Sequence, residues 1–500
     1  MSQSNTVTLT INQKPVTVPA GSTIIQAAIQ SGVQVPHFCW HPGLSIAGVC
    51  RFCMVRVEGM PKLQIACNTA VSEGMKVDTL GEDVKEAHKW ALEFHLINHP
   101  LDCPICDQAG ECELQNYYMK VGKYKSQMVE DKVLKPKTIP ISSTLVLDTE
   151  RCILCSRCVR FEDEVTKTSG LGIFSRGDKA TIGAYAERKI QHNYTYNLAD
   201  VCPVGAFTAS DFRFKCRVWF LKELDAICPG CSAGCNVKVS LNQNQREYFR
   251  LKPRPNAQVN GHWMCDTGRT MYKHCNASQR LATPTQLGVG VDWQKALSLL
   301  KGTLHSPSKL AVVLTAQYTT EEYKALKGFL GAQAGLEVSY YWWQDPAHAM
   351  DAFDGILQRG DSNPNTFGLL EVFGKNLSEN SSLCRGDFSS LARLKPDSVW
   401  VFGPEIDAAF PGLNAALTAL TELPKLVYFG NSLTPVLQKA WLQLPTKVFT
   451  EKSGTFSNFS GLAQKGQMTA PVMVHARAVD EVLAVLSPLD SSSPTNRGER

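Results

Sequence analysis

Eighteen cysteines stand in this chain of 500 residues, and all but Cys384 fall before residue 276. Spacing sorts most of them into four groups. Cys39-x10-Cys50-x2-Cys53-x13-Cys67 supplies four thiolates, the number that two irons bridged by two sulfides need at two per iron. Gly43 and Gly48 lie in the intervening loop, where they permit a tight fold with backbone N–H groups turned toward sulfur. His99-x3-Cys103-x2-Cys106-x5-Cys112 offers three thiolates and an imidazole. Three cysteines cannot complete a four-iron cubane, so His99 is read as the fourth ligand. A histidine near a helix end is ordinarily a dipole partner. The three neighbouring cysteines reverse that preference, and a neutral ligand there would raise the cluster potential.

The third group, Cys152-x2-Cys155-x2-Cys158, is completed by Cys202-Pro203. The triplet suits three corners of a [4Fe–4S] cluster and the distant Cys-Pro the fourth. In two-cluster ferredoxins a nearby cysteine continues the run and serves the other cluster. Position 162 is glutamate here, so one local cluster is expected. The fourth group is Cys228-x2-Cys231-x3-Cys235-x29-Cys265. A zinc ribbon usually shows two Cys-x2-Cys knuckles, which this spacing fits poorly, so a third [4Fe–4S] site is expected. Zinc remains the alternative for each four-cysteine group. Cys216, Cys275 and Cys384 are left over, and buried free cysteine is commonly a small hydrophobe.

The elements around these groups follow from hydrophobic period. Val7, Leu9 and Ile11 alternate with threonines, Asn12-Gln13-Lys14 turns the chain, and Val16 and Val18 continue a second strand. Thr23–Ser31 reads as a helix closed by Gly32. A hairpin, a helix and a cysteine-rich loop open a β-grasp ferredoxin domain, although the spacing departs from the plant-type Cys-x4-Cys-x2-Cys run. Asp83 to Asn98 reads as a helix with Val84, Ala87, Ala91 and Phe94 on one face. Residues 99–140 are dense in Cys, Gly and Lys, so the ligands themselves are expected to organise them. After residue 290 short apolar runs (Leu310–Leu314, Val399–Phe402, Leu426–Phe429) alternate with helical patterns at Thr320–Ala334 and Leu413–Leu423. That alternation indicates a parallel α/β domain. Ser487 to Arg500, rich in Ser and Pro, reads as a disordered tail.

Composition narrows the function classes. A net charge of +5 over 500 residues is too small to argue for a nucleic-acid binder. No run of eighteen apolar residues suggests a membrane span, and the N-terminus lacks the features of a secretory or transit leader. A reducing bacterial cytoplasm is expected, where clustered cysteine signals metal and not disulfides.

The four groups, in this order, resemble the large iron–sulfur subunit family of NADH:ubiquinone oxidoreductase, respiratory complex I, as found in bacteria. The resemblance rests on CWHPGLSIAGVCRFCMVRVEG, HPLDCPICDQAGECELQ, RCILCSRCVRF, CPVGA and CPGCSAGC…GHWMCDTGR, and covers about the first 275 residues. It implies a subunit that takes electrons from a flavin/NADH-binding subunit and passes them toward quinone-proximal iron–sulfur subunits. It also implies attachment to the cytoplasmic side of the inner membrane through the complex, with no span of its own. The fourth site is a family option thought to lie off the main electron path. VFTEKSGTFSNFSGLAQ is similar to a turn of molybdopterin oxidoreductases. The short remaining chain implies a shortened, molybdopterin-free version serving as a packing platform.

The expected chain is therefore multidomain, α+β and α/β. A β-grasp [2Fe–2S] domain (1–82) precedes a [4Fe–4S] domain with one histidine and three cysteine ligands (83–140). A ferredoxin-like [4Fe–4S] domain (141–220) and a molybdopterin-oxidoreductase-type [4Fe–4S] domain (221–280) follow. A shortened α/β domain (281–487) and a flexible tail (488–500) complete it. No substrate-converting site is expected on this chain, since the chemistry would belong to the cofactors. The rivals are an iron–sulfur electron-input subunit of a NAD-linked hydrogenase or formate dehydrogenase, and a zinc-stapled scaffold.

Overall fold

The computed structural model describes residues 6–487 except 124, 186–189, 279, 306–307, 344–349, 375–382, 386–390, 392–394, 405–424, 433–436, 469–472 and 474. The expected helix Leu413–Leu423 and nearly all of the tail lie outside the described residues, and of Cys384 only the backbone is described. The chain forms two compact units, residues 1–221 and 222–500.

The first unit opens with the hairpin Thr6–Ile11 and Lys14–Pro19, paired antiparallel. Asn12 and Gln13 take the positive φ angles of its tight turn. Lys76–Asp78 adds to Thr6–Ile11 in parallel, and Met54–Val57 adds to Lys76–Asp78 antiparallel, giving a mixed sheet extended at one edge by Gln64–Ile65. The helix Ile24–Gln30 covers the sheet, entered through a reciprocal pair between Thr23 and Gln26. Leu9, Ile11, Val18, Ile24, Val55 and Val77 fill the space between, and Cys53 and Cys67 belong to the same core.

The helix Glu82–Leu96 matches the expected element, but its buried stripe is Val84, His88, Ala91 and Leu92. Phe94, expected on the apolar face, is 70% exposed. At about 100° per residue it is turned well away from that stripe. His88 replaces it, its ring bonded to the Met54 carbonyl at 2.8 Å. Residues 99–140 are mainly irregular, as expected, apart from a turn at Cys103–Ile105, the helix Glu113–Val121 and a short strand Ile139–Pro140. Cys112 is the residue before that helix. A small sheet of Phe207–Ala209, Leu145–Leu147 and Ile139–Pro140 carries the third group.

The second unit begins with a meander of Lys222–Ile227, Asn236–Asn242 and Glu247–Pro253. Its larger sheet runs through the expected strands, observed as Ser308–Leu314, Ser398–Phe402 and Leu426–Gly430, all parallel. Leu336–Trp342, Leu383–Arg385 and Leu442–Pro445 extend it in parallel. The sheet is buried on both sides: Val312, Trp400 and Phe429 face one core, Val313, Val401 and Tyr428 the other. Thr320–Gly331 starts with a capping box between Thr319 and Glu322 and stops three residues short of the expected end.

Phe429 is fully buried and stacks on Phe402 with ring centroids 4.3 Å apart. Phe429→Ala should cost about 3–5 kcal/mol, and Phe94→Ala no more than about 0.5 kcal/mol. Hydrogen exchange of the sheet amides under urea checks this, and an equal loss in both variants contradicts the core assignment.

Candidate metal centres

The loop after Trp40 brings the first group together. Cys39, Cys50, Cys53 and Cys67 are all buried, and none forms a disulfide. Gly48 adopts φ +63°, as does the neighbouring Arg51 at +53°, which curls the chain toward Cys50. Gly43 does not take a positive φ, and its N–H goes to the His41 ring at 3.1 Å, not to sulfur. Other amides do reach sulfur, among them Phe38 N–H to Cys50 at 3.5 Å. The thiols contact one another. Hydrogen bonds from Cys50 and then Cys67 hold the Cys39 thiol low, and Cys67 does the same for Cys53. Cys50 and Cys67, as the donors, are correspondingly raised.

In the second group Cys106 and Cys112 are buried and Cys103 is exposed. Burial pushes Cys112 up to about 12 and raises Cys106. His99 lies just beyond the helix Glu82–Leu96, and burial with the nearby Lys132 and Arg151 charges lowers its ring to about 4. Its Nδ1 is buried without a hydrogen-bond partner. A neutral imidazole with an orphaned ring nitrogen is the form that binds iron. His99 also lines a cleft with Cys50 and Cys152, so this cleft is lined by a member of each of three groups.

In the third group Cys155, Cys158 and Cys202 are buried and Cys152 is half-buried. Leu154 and Ser156 adopt φ +55° and +59°, bending the Cys-x2-Cys-x2-Cys run so that its sulfurs converge. Burial raises all four thiols, Cys152 to about 12, Cys155 to about 11, and Cys158 and Cys202 also upward. Leu154 N–H reaches Cys152 sulfur at 3.3 Å, and the amides of Phe207, Val204 and Ala206 bond to Cys202. The fourth group repeats the pattern in the second unit. Cys228, Cys231 and Cys235 are buried in one core with Met264, Met271 and Tyr272, and Cys265, next to Met264, is buried as well. Burial raises each thiol, Cys265 to about 12, although Gly268 N–H bonds its sulfur at 3.3 Å.

Two glycines that carry no ligand shape these sites. A Cβ on Gly268 would lie 2.9 Å from Cys228 sulfur and 3.4 Å from Cys265 sulfur. A Cβ on Gly205, in the loop after Cys202, would lie 2.2 Å from the sulfur of Cys106 in the second group. Among the described residues no three His, Cys, Asp or Glu side chains are gathered as ligands of a single metal ion. Thiolates around one zinc would stand only about 3.8 Å apart, from bonds of about 2.3 Å in a tetrahedron. Those at the corners of an iron–sulfide cluster stand farther apart, so such a cluster needs no such gathering. The donors fit it: sulfurs that are mostly buried, amides bonded to them, and glycines where a Cβ would crowd a sulfur.

Sequence reasoning missed the basic residues that join the groups. Arg151, immediately before Cys152, donates from Nε and Nη2 to Asp102, immediately before Cys103, at 3.0 and 2.9 Å. Lys137 reaches the same carboxylate at 2.8 Å. Burial alone would raise Asp102, but Lys137 and Arg151 hold it below the usual range. Their signal was the arginine preceding a ligand cysteine, which by itself reads as ordinary surface charge.

Family models match four stretches of the chain. They are described as a 2Fe-2S iron-sulfur cluster binding domain (residues 4–82), the NADH-ubiquinone oxidoreductase-G iron-sulfur binding region (89–127), the ferredoxin-like domain of NADH-quinone oxidoreductase subunit 3 (142–208) and a molybdopterin oxidoreductase Fe4S4 domain (221–277). The G subunit of the NADH-quinone oxidoreductase of Streptomyces coelicolor is 32% identical over 81% of this chain and 48% of its own length. The mitochondrial NADH dehydrogenase [ubiquinone] iron-sulfur protein 1 of Solanum tuberosum is 38% identical over 63% of this chain and 43% of its own. The chain thus spans under half the length of these curated relatives. A NAD+-reducing [NiFe]-hydrogenase structure aligns at 27% identity with a TM-score of 0.39, over 42% of this chain and 91% of that one, a likeness too loose to weigh.

Gly205→Ala should push the Cys106 thiol from its seat. Iodoacetamide labelling of the unloaded chain, resolved by mass spectrometry, should then be severalfold faster at Cys106 and unchanged at Cys228. Equal rates at Cys106 in both chains would contradict the close approach.

Proposed function

We propose that this chain, a relative of the NADH-quinone oxidoreductase G subunits, is an electron-transfer subunit of a proton-translocating NADH:quinone oxidoreductase. In this reading it takes single electrons from a flavin subunit and passes them toward the quinone site. The observation that carries it is the burial of most of these sulfurs in loops whose amides turn toward them, Cys103 being the exposed exception. Electron transfer needs fixed, water-shielded redox centres, and such loops provide them.

Cys39, Cys50, Cys53 and Cys67 would hold the [2Fe–2S] cluster. His99 with Cys103, Cys106 and Cys112, Cys152 with Cys155, Cys158 and Cys202, and Cys228 with Cys231, Cys235 and Cys265 would each hold a [4Fe–4S] cluster. When bound, these groups supply reversible one-electron chemistry; the polypeptide sets position, shielding and local charge. The orphaned Nδ1 of His99 supports its place among the ligands. The boundaries 1–82, 83–140, 141–220, 221–280, 281–487 and 488–500 are retained as the domain proposal. The α/β sheet of the second unit is assigned to a molybdopterin-free platform for neighbouring subunits.

Among the described residues no helix is long and apolar enough to cross a membrane. Placement at the cytoplasmic face of the bacterial inner membrane, through the flavin-bearing and quinone-proximal subunits, is part of the same proposal. Exposure of Cys103, with Leu101 and Ile105 exposed beside it, supports a route to a partner at the second group.

Anaerobic purification with iron and sulfide analysis should give about fourteen irons per chain, from one two-iron and three four-iron clusters. Dithionite-reduced samples should show a slowly relaxing [2Fe–2S] EPR signal together with several fast-relaxing [4Fe–4S] signals. His99→Cys should alter one fast-relaxing signal and leave the others. About ten irons would remove one four-iron assignment, the Cys228 group being the first to examine. Zinc without any reduced-state signal would overturn the electron-carrier reading.

A further inference from the structure

The helix Arg157–Glu164 starts inside the third cysteine group and carries two arginines three residues apart. Residues at that spacing lie side by side on one helix face. Both reach out of their own group. Arg157 is buried, and donates to the carbonyl of Trp40 at 2.7 Å and to that of Val201 at 3.2 Å. Trp40 follows Cys39, and Val201 precedes Cys202. Arg160 spans the same two groups more directly. Its Nη2 donates to the carbonyl of Cys39 at 2.5 Å and to the carbonyl of Cys155 at 3.5 Å. Its Nη1 donates to the Ser45 carbonyl, and its Nε to Ser156 Oγ at 3.3 Å. Glu164, one turn on, anchors the same loop by accepting from the Ser45 N–H at 2.8 Å and from the Ser45 hydroxyl.

One planar guanidinium therefore touches a ligand residue of the first group and a ligand residue of the third. Lysine could not reproduce this, because a point ammonium has no rigid fork to serve several carbonyls in fixed directions. The contact also has an electrostatic sign. Each reduction adds a negative charge to a cluster, and a fixed cation beside its ligands stabilises the reduced form.

We infer that Arg160 is a positioning residue for electron transfer between the first and third groups, fixing their spacing and raising the potential of both. The inference rests on the cluster assignments proposed above. The step it serves moves one electron, so that one centre is oxidised as the other is reduced. The guanidinium exchanges no proton and forms no bond. In the experiment dithionite is the reductant.

The test uses the full chain with its iron, as wild type, Arg160→Gln and Arg160→Lys, each checked for iron content. Redox titration monitored by EPR should show both potentials lowered in Arg160→Gln. At a fixed poise the reduced-to-oxidised ratio of each of the two clusters should fall severalfold, a tenfold fall being about 59 mV for one electron. The other [4Fe–4S] signals should stay within about twofold. Arg160→Lys keeps the charge, so both ratios should stay within about twofold of wild type. The relaxation enhancement that the third cluster imposes on the [2Fe–2S] signal should nevertheless weaken, because the fork is gone. Should Arg160→Gln lose iron, the Arg160→Lys relaxation measurement decides alone. Ratios unmoved in an iron-replete Arg160→Gln, a shift of only one cluster, or unchanged relaxation in Arg160→Lys would each overturn the inference. Absence of the two signals in the wild type would instead remove the cluster assignment itself.

Discussion

A sulfur atom buried among apolar side chains resists becoming a thiolate, and most of this molecule is arranged around that resistance. In the third and fourth groups burial raises every thiol. Thiolates there must be stabilised by whatever binds them and by donors already in place. The loops supply the donors as backbone amides, available only if the chain bends sharply beside each cysteine. Leu154 and Ser156 make that bend with positive φ in side-chain-bearing residues, a strain held by the helix Arg157–Glu164 that begins at the next residue.

Charge is distributed by the same logic. Arg151, Arg157 and Arg160 stand beside the cysteine loops, and each of them binds a neighbouring group as well as its own. Arg151 reaches Asp102 next to Cys103, Arg157 the Trp40 carbonyl, Arg160 the Cys39 carbonyl. The first unit is thus tied by fixed cations that link three ligand loops, and not by an apolar core alone. In the second unit the buried pair of Arg280 and Glu451, 2.7 Å apart, connects the end of the cysteine segment to the turn near residue 450. Such a pair contributes little net stability but is costly to break.

Four cysteine groups could be proposed from the sequence because most of their thiols stand a few residues apart, while Cys67, Cys202 and Cys265 join their groups from farther along the chain. The hairpin at 6–19 and the strands at 308–314, 398–402 and 426–430 were legible because their apolar period is strong. What escaped was non-local. Phe94 looked like a core residue until the packing of His88 against the Met54 carbonyl showed which stripe of the helix turns inward. Gly205 looked like part of its own Cys-Pro loop, yet its missing side chain makes room for a thiol nearly a hundred positions earlier. The helix Glu113–Val121 was hidden in a segment whose polar composition gave no clear period. Gly43 was credited with a role that only Gly48 fills, because glycine content does not reveal which residue takes the left-handed conformation.

The second unit closes its cysteine loop with residues more than two hundred positions later in the chain. Gln464 donates to the Gly234 carbonyl at 2.8 Å and accepts from the Asn236 side chain, and Phe459 N–H donates to the Ser232 carbonyl at 2.8 Å. Thr285, near the start of the larger sheet, pairs with Gln443. A ribosome adding about 5–20 residues per second releases the Cys228–Cys235 loop well over ten seconds, at the slower rate, before the antiparallel hairpin of Gly454–Ser457 and Ala463–Gly466 that covers it. During that interval the nascent loop has its sulfurs but not its cover. Synthesis itself therefore opens a window in which this site can be filled, or oxidised, before those later residues cover it.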